Sequence, residues 1–355
     1  MARLLKTPTD ALTAMDLFCG CGGMTVGLEQ AGFAVLSAID NDPLAVETYR
    51  MNHKAVRVVE GDIRKANPML VAHEAGLERG TLDLLAGCPP CQGFSSLRTH
   101  NGARVVDDPR NDLLFEFLRF VEALMPRAIM FENVPGLVND PRFSQFGIRL
   151  AEIGYQSSTP QVLNAADYGV PQRRRRLFMA AGLGFAVGLC PPMHEHCSVR
   201  DAIGSLAGPG MGDDPLQNVP ESHSDEVLRR IQAIPKDGGS RLDLGRDQQL
   251  PCHRKCNGFK DIYGRLSWDG VAPTITSGCT NPSKGRFLHP EQDRALTLRE
   301  AALLQSFPDN YKFSMRGGKA GASRMIGNAV PPELARRQAL QLRAALERQA
   351  SKSRQ

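Results

Sequence analysis

A cysteine in a rigid turn is the feature of this sequence that points most directly to chemistry. Cys91 follows Pro89 and Pro90 and precedes Gln92. Proline fixes φ and pushes the preceding residue into extended geometry, so this turn predicts a side chain with little freedom. The apolar run 82–86 predicts a buried strand before the turn, and open α/β sheets form their sites at strand carboxyl ends. We therefore interpret Cys91 as a nucleophile, although a lone cysteine more often packs in a core.

A glycine-rich turn at 16–23 indicates a second kind of site. It follows a predicted strand at 11–18 and leads into a predicted helix, with Gly20, Gly22 and Gly23 between them. This arrangement lets the backbone approach a nucleotide-like ligand, with a plain tight turn as the alternative. The third spaced glycine of the pyrophosphate fingerprint is missing, which argues against a bound diphosphate.

Carboxylates stand at the ends of the next two predicted strands. Asp40 ends the strand 34–39 and could accept hydrogen bonds from ribose hydroxyls. Asp62 follows the strand 56–60 and could meet an adenine amino group. Asp16 adds negative charge beside the glycine-rich turn. An adenosine that carries a cationic sulfonium fits this set, so these residues predict S-adenosylmethionine (S-adenosyl-L-methionine) as cofactor.

The elements that position these residues alternate short apolar runs with helical patterns. Such alternation is typical of a mostly parallel, doubly wound α/β sheet. Further strands are predicted at 128–131 and 175–181, and helices at 43–51, 112–124, 297–305 and from Pro332 onward. The stretch 204–245 is rich in glycine, proline, aspartate and serine and has one clear helix at 225–233. It predicts a small irregular domain.

Composition bounds the class of protein. The 355 residues carry a net charge of +5, and 42% of them are hydrophobic, which is ordinary for a globular chain. No apolar run is long enough to span a bilayer and the first residues lack a signal-peptide core, so we expect a cytoplasmic protein. Nine cysteines, an odd number, fit a reducing compartment. The basic balance is compatible with a polyanionic partner.

Several separated segments resemble, in the same order, motifs of the bacterial-type DNA (cytosine-5)-methyltransferases. They are Asp16-Leu17-Phe18-Cys19-Gly20-Cys21-Gly22-Gly23, Pro89-Pro90-Cys91-Gln92, Glu132-Asn133-Val134, Gln172-Arg173-Arg174-Arg175-Arg176 and Gly327-Asn328-Ala329-Val330-Pro331-Pro332. The resemblance covers nearly the whole chain except about 183–262. It implies a Rossmann-like S-adenosylmethionine-dependent methyltransferase fold with a small irregular target-recognition domain, and a C-terminal helix that packs back on the first domain.

The resemblance also implies a division of the chain into three functional parts. Residues 1–182 would form the catalytic and cofactor-binding domain, and 183–275 the target-recognition domain. Residues 276–355 would return to the catalytic domain. A long loop at 93–111 would close over a flipped base, and a strand at 272–277 would border the recognition domain.

Four residues take catalytic roles under this resemblance. Cys91 would add to C6 of a cytosine, because C5 unaided is too weak a nucleophile to accept a methyl group. Glu132 would act as the acid at N3 of the cytosine. Its place after an apolar strand would raise the pKa of its carboxyl and so favour the protonated form. Arg174 would lie near O2 and the thiolate, and Arg176 would brace Glu132 or the backbone. Alternation along a strand would put both arginines on one face.

The other predicted site residues form a cofactor group and a DNA group. The cofactor group comprises Asp16, Phe18, Cys19, Gly20, Gly22, Gly23, Asp40, Asn41, Asp62, Ile63, Pro89, Asn328 and Val330. The DNA group comprises Gln92, Ser95, Ser96, Arg98, Lys284 and Arg286. No metal site is expected, because the spacings of Cys190, His194, His196, Cys197, Cys252, His253 and Cys256 do not form a zinc finger.

Alternative functions remain at this point. A tRNA methyltransferase of the same family is one, but the chain lacks that branch's Cys-Phe-Thr signature. A catalytically inactive DNA-binding regulator is another, and a nicotinamide oxidoreductase is a third. We expect double-stranded DNA as the partner, a monomeric enzyme and a possible cognate restriction endonuclease.

Overall fold

The structure is a computed structural model that describes residues 11–90, 112–245, 248–249 and 260–353. The chain divides into two compact units. The first comprises Met1–Asn164, Arg175–Pro192 and Val330–Gln355, and the second comprises Ala165–Arg174 and Met193–Ala329. These spatial boundaries differ from 182 and 275, and residues 276–329 cluster with the second unit. The functional division of the chain stays a prediction.

An eight-stranded sheet forms the centre of the first unit. Its strands are β1 (Thr13–Leu17), β2 (Ala34–Asp40), β3 (Arg57–Glu60), β4 (Leu84–Gly87), β5 (Ala128–Asn133), β6 (Tyr155–Ser157), β7 (Gln161–Asn164) and β8 (Arg175–Leu183). They lie in the order β3-β2-β1-β4-β5-β8-β6, and β7 also pairs with β8. Strands β1 to β5 are parallel, whereas β8 runs antiparallel to β5. The doubly wound, Rossmann-like prediction is confirmed.

Helices surround this sheet. They are α1 (Gly23–Gln30), α2 (Pro43–Asn52), α3 (Pro68–Glu74), α4 (Leu113–Leu124) and α5 (Pro141–Glu152). Asp42, Asn67 and Asp140 are N-caps of α2, α3 and α5, and each precedes a proline at the first helical position. An Asx–proline pair starts a helix efficiently, since the side chain accepts from the first turn and proline's φ already suits a helix.

Both faces of the sheet are covered. On one face, Phe117 of α4 and Phe146 of α5 pack on Phe131 of β5, with ring centroids 5.6 and 5.3 Å from it. On the other, α1 packs against the last helix, α10 (Pro332–Ser353). A Cβ at Gly27 would lie 2.5 Å from the Pro332 carbonyl oxygen, so only glycine permits this approach. The expected return of the C-terminal helix is therefore confirmed.

The second unit is irregular. Its helices are α6 (Val199–Ile203), α7 (Asp225–Ala233), α8 (Leu298–Leu304) and α9 (Gly318–Asn328). Its described residues form isolated bridges such as Arg265 with Leu288, and no named strand lies among them. The strand expected at 272–277 is wrong: only Ala272 bridges, because residues 172–173 offer this segment a single short pairing.

In this unit a fully buried arginine, rather than strand pairing, supplies hydrogen bonds to the backbone. Arg265 donates to the carbonyl oxygens of Ile231, Ile234, His289 and Gln292 at 2.7–3.1 Å and pairs with Asp293. These bonds satisfy carbonyls at the end of α7 and in a loop that would otherwise be buried without donors. They hold the small apolar cluster of Ile231, Ile234, Leu244, Tyr263 and Leu288.

Candidate active site

Two turns of the first unit meet where the strand order reverses. They follow β1 and β4, which are neighbours in the sheet although β2 and β3 lie between them in the chain. Ligands of open α/β sheets bind at such a switch point, beyond the carboxyl ends of the strands. The Cys88 amide donates to the Leu17 carbonyl at 3.3 Å, so the backbones of the two turns touch there.

The turn after β1 has three residues in the left-handed region. Phe18, Gly20 and Gly22 have φ of 59°, 53° and 96°. A positive φ is unusual for phenylalanine, and such strain collects at ligand-binding turns. A Cβ built on Gly20 would meet nothing within 4 Å, so the space beside this glycine is open. Cys19 is buried and its amide donates to the Ile39 carbonyl at 3.0 Å, while α1 begins at Gly23.

Asp40 braces this glycine turn. Its Oδ2 accepts from the Gly20 amide at 2.8 Å, and its Oδ1 accepts from the Asp42 amide at 2.9 Å. Burial raises the pKa of the Asp40 carboxyl above its ordinary value. Each carboxylate oxygen keeps a further acceptor direction, so a ribose hydroxyl can still be accommodated. The neighbouring Asn41 is exposed.

Asp62 stands at the end of the next strand. Its Oδ1 accepts from the Arg64 amide at 3.1 Å, which caps a short 3₁₀ turn that begins at Ile63. A hydrogen bond from the Arg64 guanidinium lowers the pKa of Asp62, so this side chain remains an acceptor near neutral pH. Ile63 is 4% exposed, and a Cβ on Gly61 would meet nothing within 4 Å.

Asp16 lies beneath the glycine turn and is fully buried. Its Oδ2 accepts from the Thr25 hydroxyl at 2.7 Å, and that hydroxyl contacts the Tyr49 hydroxyl at 2.8 Å. Burial raises the pKa of Asp16 to about 7. Among the described residues its Oδ1 has no hydrogen-bond partner, which leaves a buried acceptor beside the turn. Such an orphaned atom calls for a ligand or a water.

The turn after β4 is held from the β5 side. The buried Pro89 presents its carbonyl oxygen to the Asn133 side-chain amide at 2.9 Å. A Cβ on Gly87 would lie 2.7 Å from the Phe117 ring, so the strand end fits only glycine. The predicted nucleophile Cys91 and the predicted DNA residues Gln92, Ser95, Ser96 and Arg98 lie outside the described residues, as does the whole of the predicted loop 93–111.

Glu132 ends β5 next to this turn and is 5% exposed. Arg176 Nε lies 3.1 Å from Glu132 Oε1, and Arg176 Nη1 donates to the Arg175 carbonyl at 2.7 Å. Both contacts expected of Arg176, one to the glutamate and one to the backbone, are therefore present. The structure brings these two residues together in the first unit, and their part in a reaction stays a prediction.

Arg174 has a different environment. The strand β8 begins at Arg175, so Arg174 lies one residue before the strand that carries Arg176, and the predicted shared face of the two arginines stays a prediction. Arg174 belongs to the second unit, is 2% exposed, and donates to the carbonyls of Ile275 and Gly327 at 3.0 and 2.9 Å. Its own carbonyl accepts from the Ala165 amide at 2.9 Å within that unit.

The remaining predicted residues are separated. Asn328 is exposed at the end of α9 in the second unit, whereas Val330 is 7% exposed in the first. Lys284 is exposed. Arg286 donates to the carbonyls of Gly238, Gly239 and Arg265 at 2.9–3.2 Å and pairs with Asp261. Its guanidinium is thus bound by its own unit, which favours a structural part over a phosphate contact.

Three residues that contribute to the site were not predicted: Asn133, Thr25 and Cys88. Asn133 stands in the Glu-Asn-Val motif and Cys88 in the proline turn, so both had a signal in the sequence. Thr25 had none. Over the part of the chain that the structure describes, no three metal-ligating side chains are grouped. No helix in that part is both long and apolar enough to cross a membrane.

Comparison with known proteins agrees with this geometry. The sequence model of the family described as C-5 cytosine-specific DNA methylase matches residues 12–344. The type II methylase M.HgiDII of Herpetosiphon aurantiacus is 39% identical over 338 residues, covering 91% of this chain and 92% of that protein. The type II methyltransferase M1.HphI of Haemophilus parahaemolyticus is 34% identical over 92% of this chain and 85% of its own length.

Solved structures show the same fold. An Escherichia coli prophage-encoded protein described as a DNA modification methyltransferase is 25% identical and superposes with a TM-score of 0.73. That alignment covers 95% of this chain and 100% of the other. The DNMT2 structure of Spodoptera frugiperda, at 18% identity and a TM-score of 0.58, supports the fold alone.

Proposed function

The chain belongs to the C-5 cytosine-specific DNA methylase family and transfers a methyl group from S-adenosyl-L-methionine to C5 of cytosine in DNA, and we propose that Cys91 does so through a transient covalent bond to the base. The observation that carries this proposal is the turn after β4. Its backbone is held by Leu17 on one side and Asn133, next to the buried Glu132, on the other. Cys91 follows this turn directly in the sequence.

The turn after β1 fits an adenosyl cofactor. Open space beside Gly20 admits a ligand against the backbone, and the carboxylates of Asp40 and Asp62 end adjacent strands. We assign Asp40 to the ribose and Asp62 to the adenine amino group, with Ile63 against the ring. When bound, S-adenosyl-L-methionine supplies a methyl group on a cationic sulfur. The buried Asp16 Oδ1, which has no hydrogen-bond partner among the described residues, offers a further acceptor beneath the turn.

The nucleophilic step belongs to Cys91. Its thiolate forms a bond to C6 of the cytosine, and the electron pair of the C5–C6 double bond moves toward C5 and N3. C5 is then able to accept the methyl group. Removal of the C5 proton by a base restores the double bond and expels the thiolate, so the enzyme is regenerated.

Charge that develops on the ring is met by Glu132. A proton held at its carboxyl would pass to N3 as the thiolate adds, and would return when the thiolate leaves. Arg176 holds this carboxyl from the side, at 3.1 Å. The resemblance places Arg174 at O2, and we keep that assignment as a proposal.

The reaction requires the cytosine to leave the helix, because C5 of a paired base cannot reach a thiol in a pocket. Flipping costs a few kcal/mol. We propose that the second unit reads the DNA sequence and that exposed cations such as Lys284 contact phosphates. We also propose that Gln92, Ser95, Ser96 and Arg98, which follow the nucleophile, contact the opened duplex.

The biological setting follows from the relatives. Several of them are named as type II methyltransferases, so we propose a monomeric enzyme that acts beside a cognate restriction endonuclease in the bacterial cytoplasm. Bisulfite sequencing of DNA from a host that expresses the protein would reveal one short methylated sequence. Endonucleases that recognise this sequence should then fail to cut the DNA. Scattered methylation without a shared sequence would contradict the proposal.

Labelled methyl transfer tests the substrate directly. Wild type and Cys91→Ala are incubated with tritiated S-adenosyl-L-methionine and either duplex DNA of randomised sequence or tRNA. We expect label in duplex DNA with the wild type alone. Label in tRNA, or equal label with Cys91→Ala, would contradict the proposed substrate or the proposed nucleophile.

A further inference from the structure

A second cysteine lies in the turn beside the proposed acid. In the parallel pairing of β4 and β5, Gly87 is opposite Phe131. Cys88 follows β4 directly, and Glu132 is the next residue on β5, so the continued register places these two residues side by side on one face. Glu132 is in turn opposite Phe178 on β8, two residues from Arg176, so Arg176 shares that face. Cys88, Glu132 and Arg176 therefore lie in one row at the ends of β4, β5 and β8.

Side-chain contacts follow this row. The Glu132 carboxylate acts on the Cys88 thiol through its charge and as a hydrogen-bonding neighbour, and both influences raise the pKa of that thiol. On the other side Arg176 Nε lies 3.1 Å from Glu132 Oε1. The Glu132 side chain is 7% exposed, so these two donors replace solvent for much of the carboxylate.

The backbone holds Cys88 in place. Its amide donates to Leu17, and the carbonyl of the next residue, Pro89, accepts from the Asn133 side chain. Asn133 is the residue after Glu132, so the turn that carries the thiol and the strand that carries the acid are joined directly. A thiol fixed in this way loses little entropy when it holds its hydrogen bond.

The thiol is suited to donate rather than to attack. Burial raises the pKa of Cys88 well above its ordinary value, and the charges of Glu132 and Asp16 raise it further. The thiol therefore keeps its proton across the neutral range, whereas nucleophilic attack would require a thiolate. A neutral thiol is a weak donor, and donation to a carboxylate is its strongest use.

We propose that Cys88 is a positioning residue for methyl transfer: its thiol holds the Glu132 carboxyl, opposite Arg176, in the orientation that serves N3 of the target base. This proposal rests on the proposed role of Glu132. Cys88 does not touch the base and acts only through Glu132.

The test compares Cys88→Ala, which removes the donor, with Cys88→Ser, which retains one of smaller size. The full-length variants are measured for single-turnover methylation of duplex DNA across pH. Cys88→Ala should be slower by about three- to tenfold at neutral pH, in line with the loss of one hydrogen bond from a weak donor. The alkaline limb of the pH–rate profile of Cys88→Ala should move to higher pH, because the ionised form of Glu132 loses a hydrogen-bond donor that stabilises it. Cys88→Ser should recover most of both changes.

Two further measurements separate positioning from packing. Cys190→Ala removes a half-buried thiol that donates to the Pro191 carbonyl at 3.4 Å, and should behave as wild type. In a double-mutant cycle, Cys88→Ala should have no added effect on Glu132→Gln, because Cys88 acts through that side chain. S-adenosyl-L-methionine affinity and the melting temperature report whether each variant is folded.

The outcomes are distinct. A Cys88→Ala variant with the wild-type rate and pH profile overturns the proposal while the proposed role of Glu132 stands. Equal loss in Cys88→Ala and Cys88→Ser, with folding intact, also overturns it, since the donor would then be irrelevant. A Glu132→Gln variant with wild-type activity overturns the role of Glu132 itself. An additive double mutant shows that Cys88 acts by another route and refutes the proposal.

Discussion

The two compact units use different hydrogen bonds to hold their backbones. In the first unit, strands pair along an eight-stranded sheet, and the proposed site forms at the carboxyl ends of its strands. In the second, buried arginines donate to carbonyls of a helix end and of loops, as Arg265 does to Ile231 and Arg299 does to Tyr311 at 3.0 Å. The hydrogen bonds between paired strands are many and regularly spaced, so the sheet tolerates the loss of one of them. An arginine anchor concentrates several bonds in one side chain, so its loss is costly.

The largest expected effect separates chemistry from folding. Cys91→Ser should lower single-turnover methylation by on the order of 10³-fold or more, because a serine hydroxyl is a far weaker nucleophile than a thiolate. S-adenosyl-L-methionine binding, measured by calorimetry, should remain at the wild-type affinity, since the turn after β1 is untouched. Retained turnover would remove Cys91 from the mechanism.

A buried arginine of the second unit should affect stability instead. Arg265→Met leaves several carbonyls without their donor and removes one of the two cations that pair with Asp293, the other being Lys236. It should lower the free energy of unfolding by about 3–5 kcal/mol. Chemical denaturation measures this change. The matched control is Arg229→Met on the exposed surface of α7, which should cost less than about 0.5 kcal/mol. Equal effects of the two substitutions would contradict the stabilising role assigned to Arg265.

Asp16 should make the first unit sensitive to pH. Its pKa is about 7 in the fold against an ordinary 3.8, so the folded state binds more protons between these values. The stability that wild type owes to a neutral Asp16 is then full below about pH 4 and declines as pH rises toward 7, by up to about 1.4 kcal/mol per pH unit. Asp16→Asn should lack this decline. If the free energy of unfolding changed with pH by the same amount in wild type and in Asp16→Asn, this role of Asp16 would be contradicted.

The smallest expected effect concerns the glycine turn. Gly20→Ala places a side chain at a φ of 53°, which should cost about 1–2 kcal/mol of stability. It should also weaken S-adenosyl-L-methionine binding by about tenfold, since the added methyl occupies the open space beside the turn. Gly76→Ala, at a φ of 74° and also with open space, should cost the same stability without loss of affinity. Equal affinities for the two variants would place the cofactor elsewhere.

Sequence was informative where signals are local. The strands β1 to β5 were predicted within about two residues, because each is an apolar run that ends at a polar or glycine turn. The family resemblance gave Glu132 or the backbone as the partner of Arg176, because the two short motifs that contain these residues are legible in the sequence. Long-range contacts were not predictable in this way. Arg174 was expected to continue β8, but it bonds to Ile275 and Gly327, which lie far along the chain.

Two omissions have the same physical origin. The helix α9 was not predicted, because its residues 318–328 are rich in glycine and carry little apolar periodicity. Cys88 is not among the site residues predicted from the sequence, because its proximity to Glu132 depends on strand pairing rather than on spacing within the turn. In both cases tertiary structure outweighs local propensity.

The central claim is that sulfur of Cys91 bonds to C6 of the cytosine. It is tested most directly with duplex DNA of randomised sequence in which 5-fluorocytosine replaces cytosine, because fluorine at C5 cannot leave as a proton does. After incubation with S-adenosyl-L-methionine, peptide mass spectrometry should find the nucleotide on Cys91, and none in Cys91→Ala. DNA methylation by the wild type without any trapped protein, or an adduct on another residue, would contradict the account.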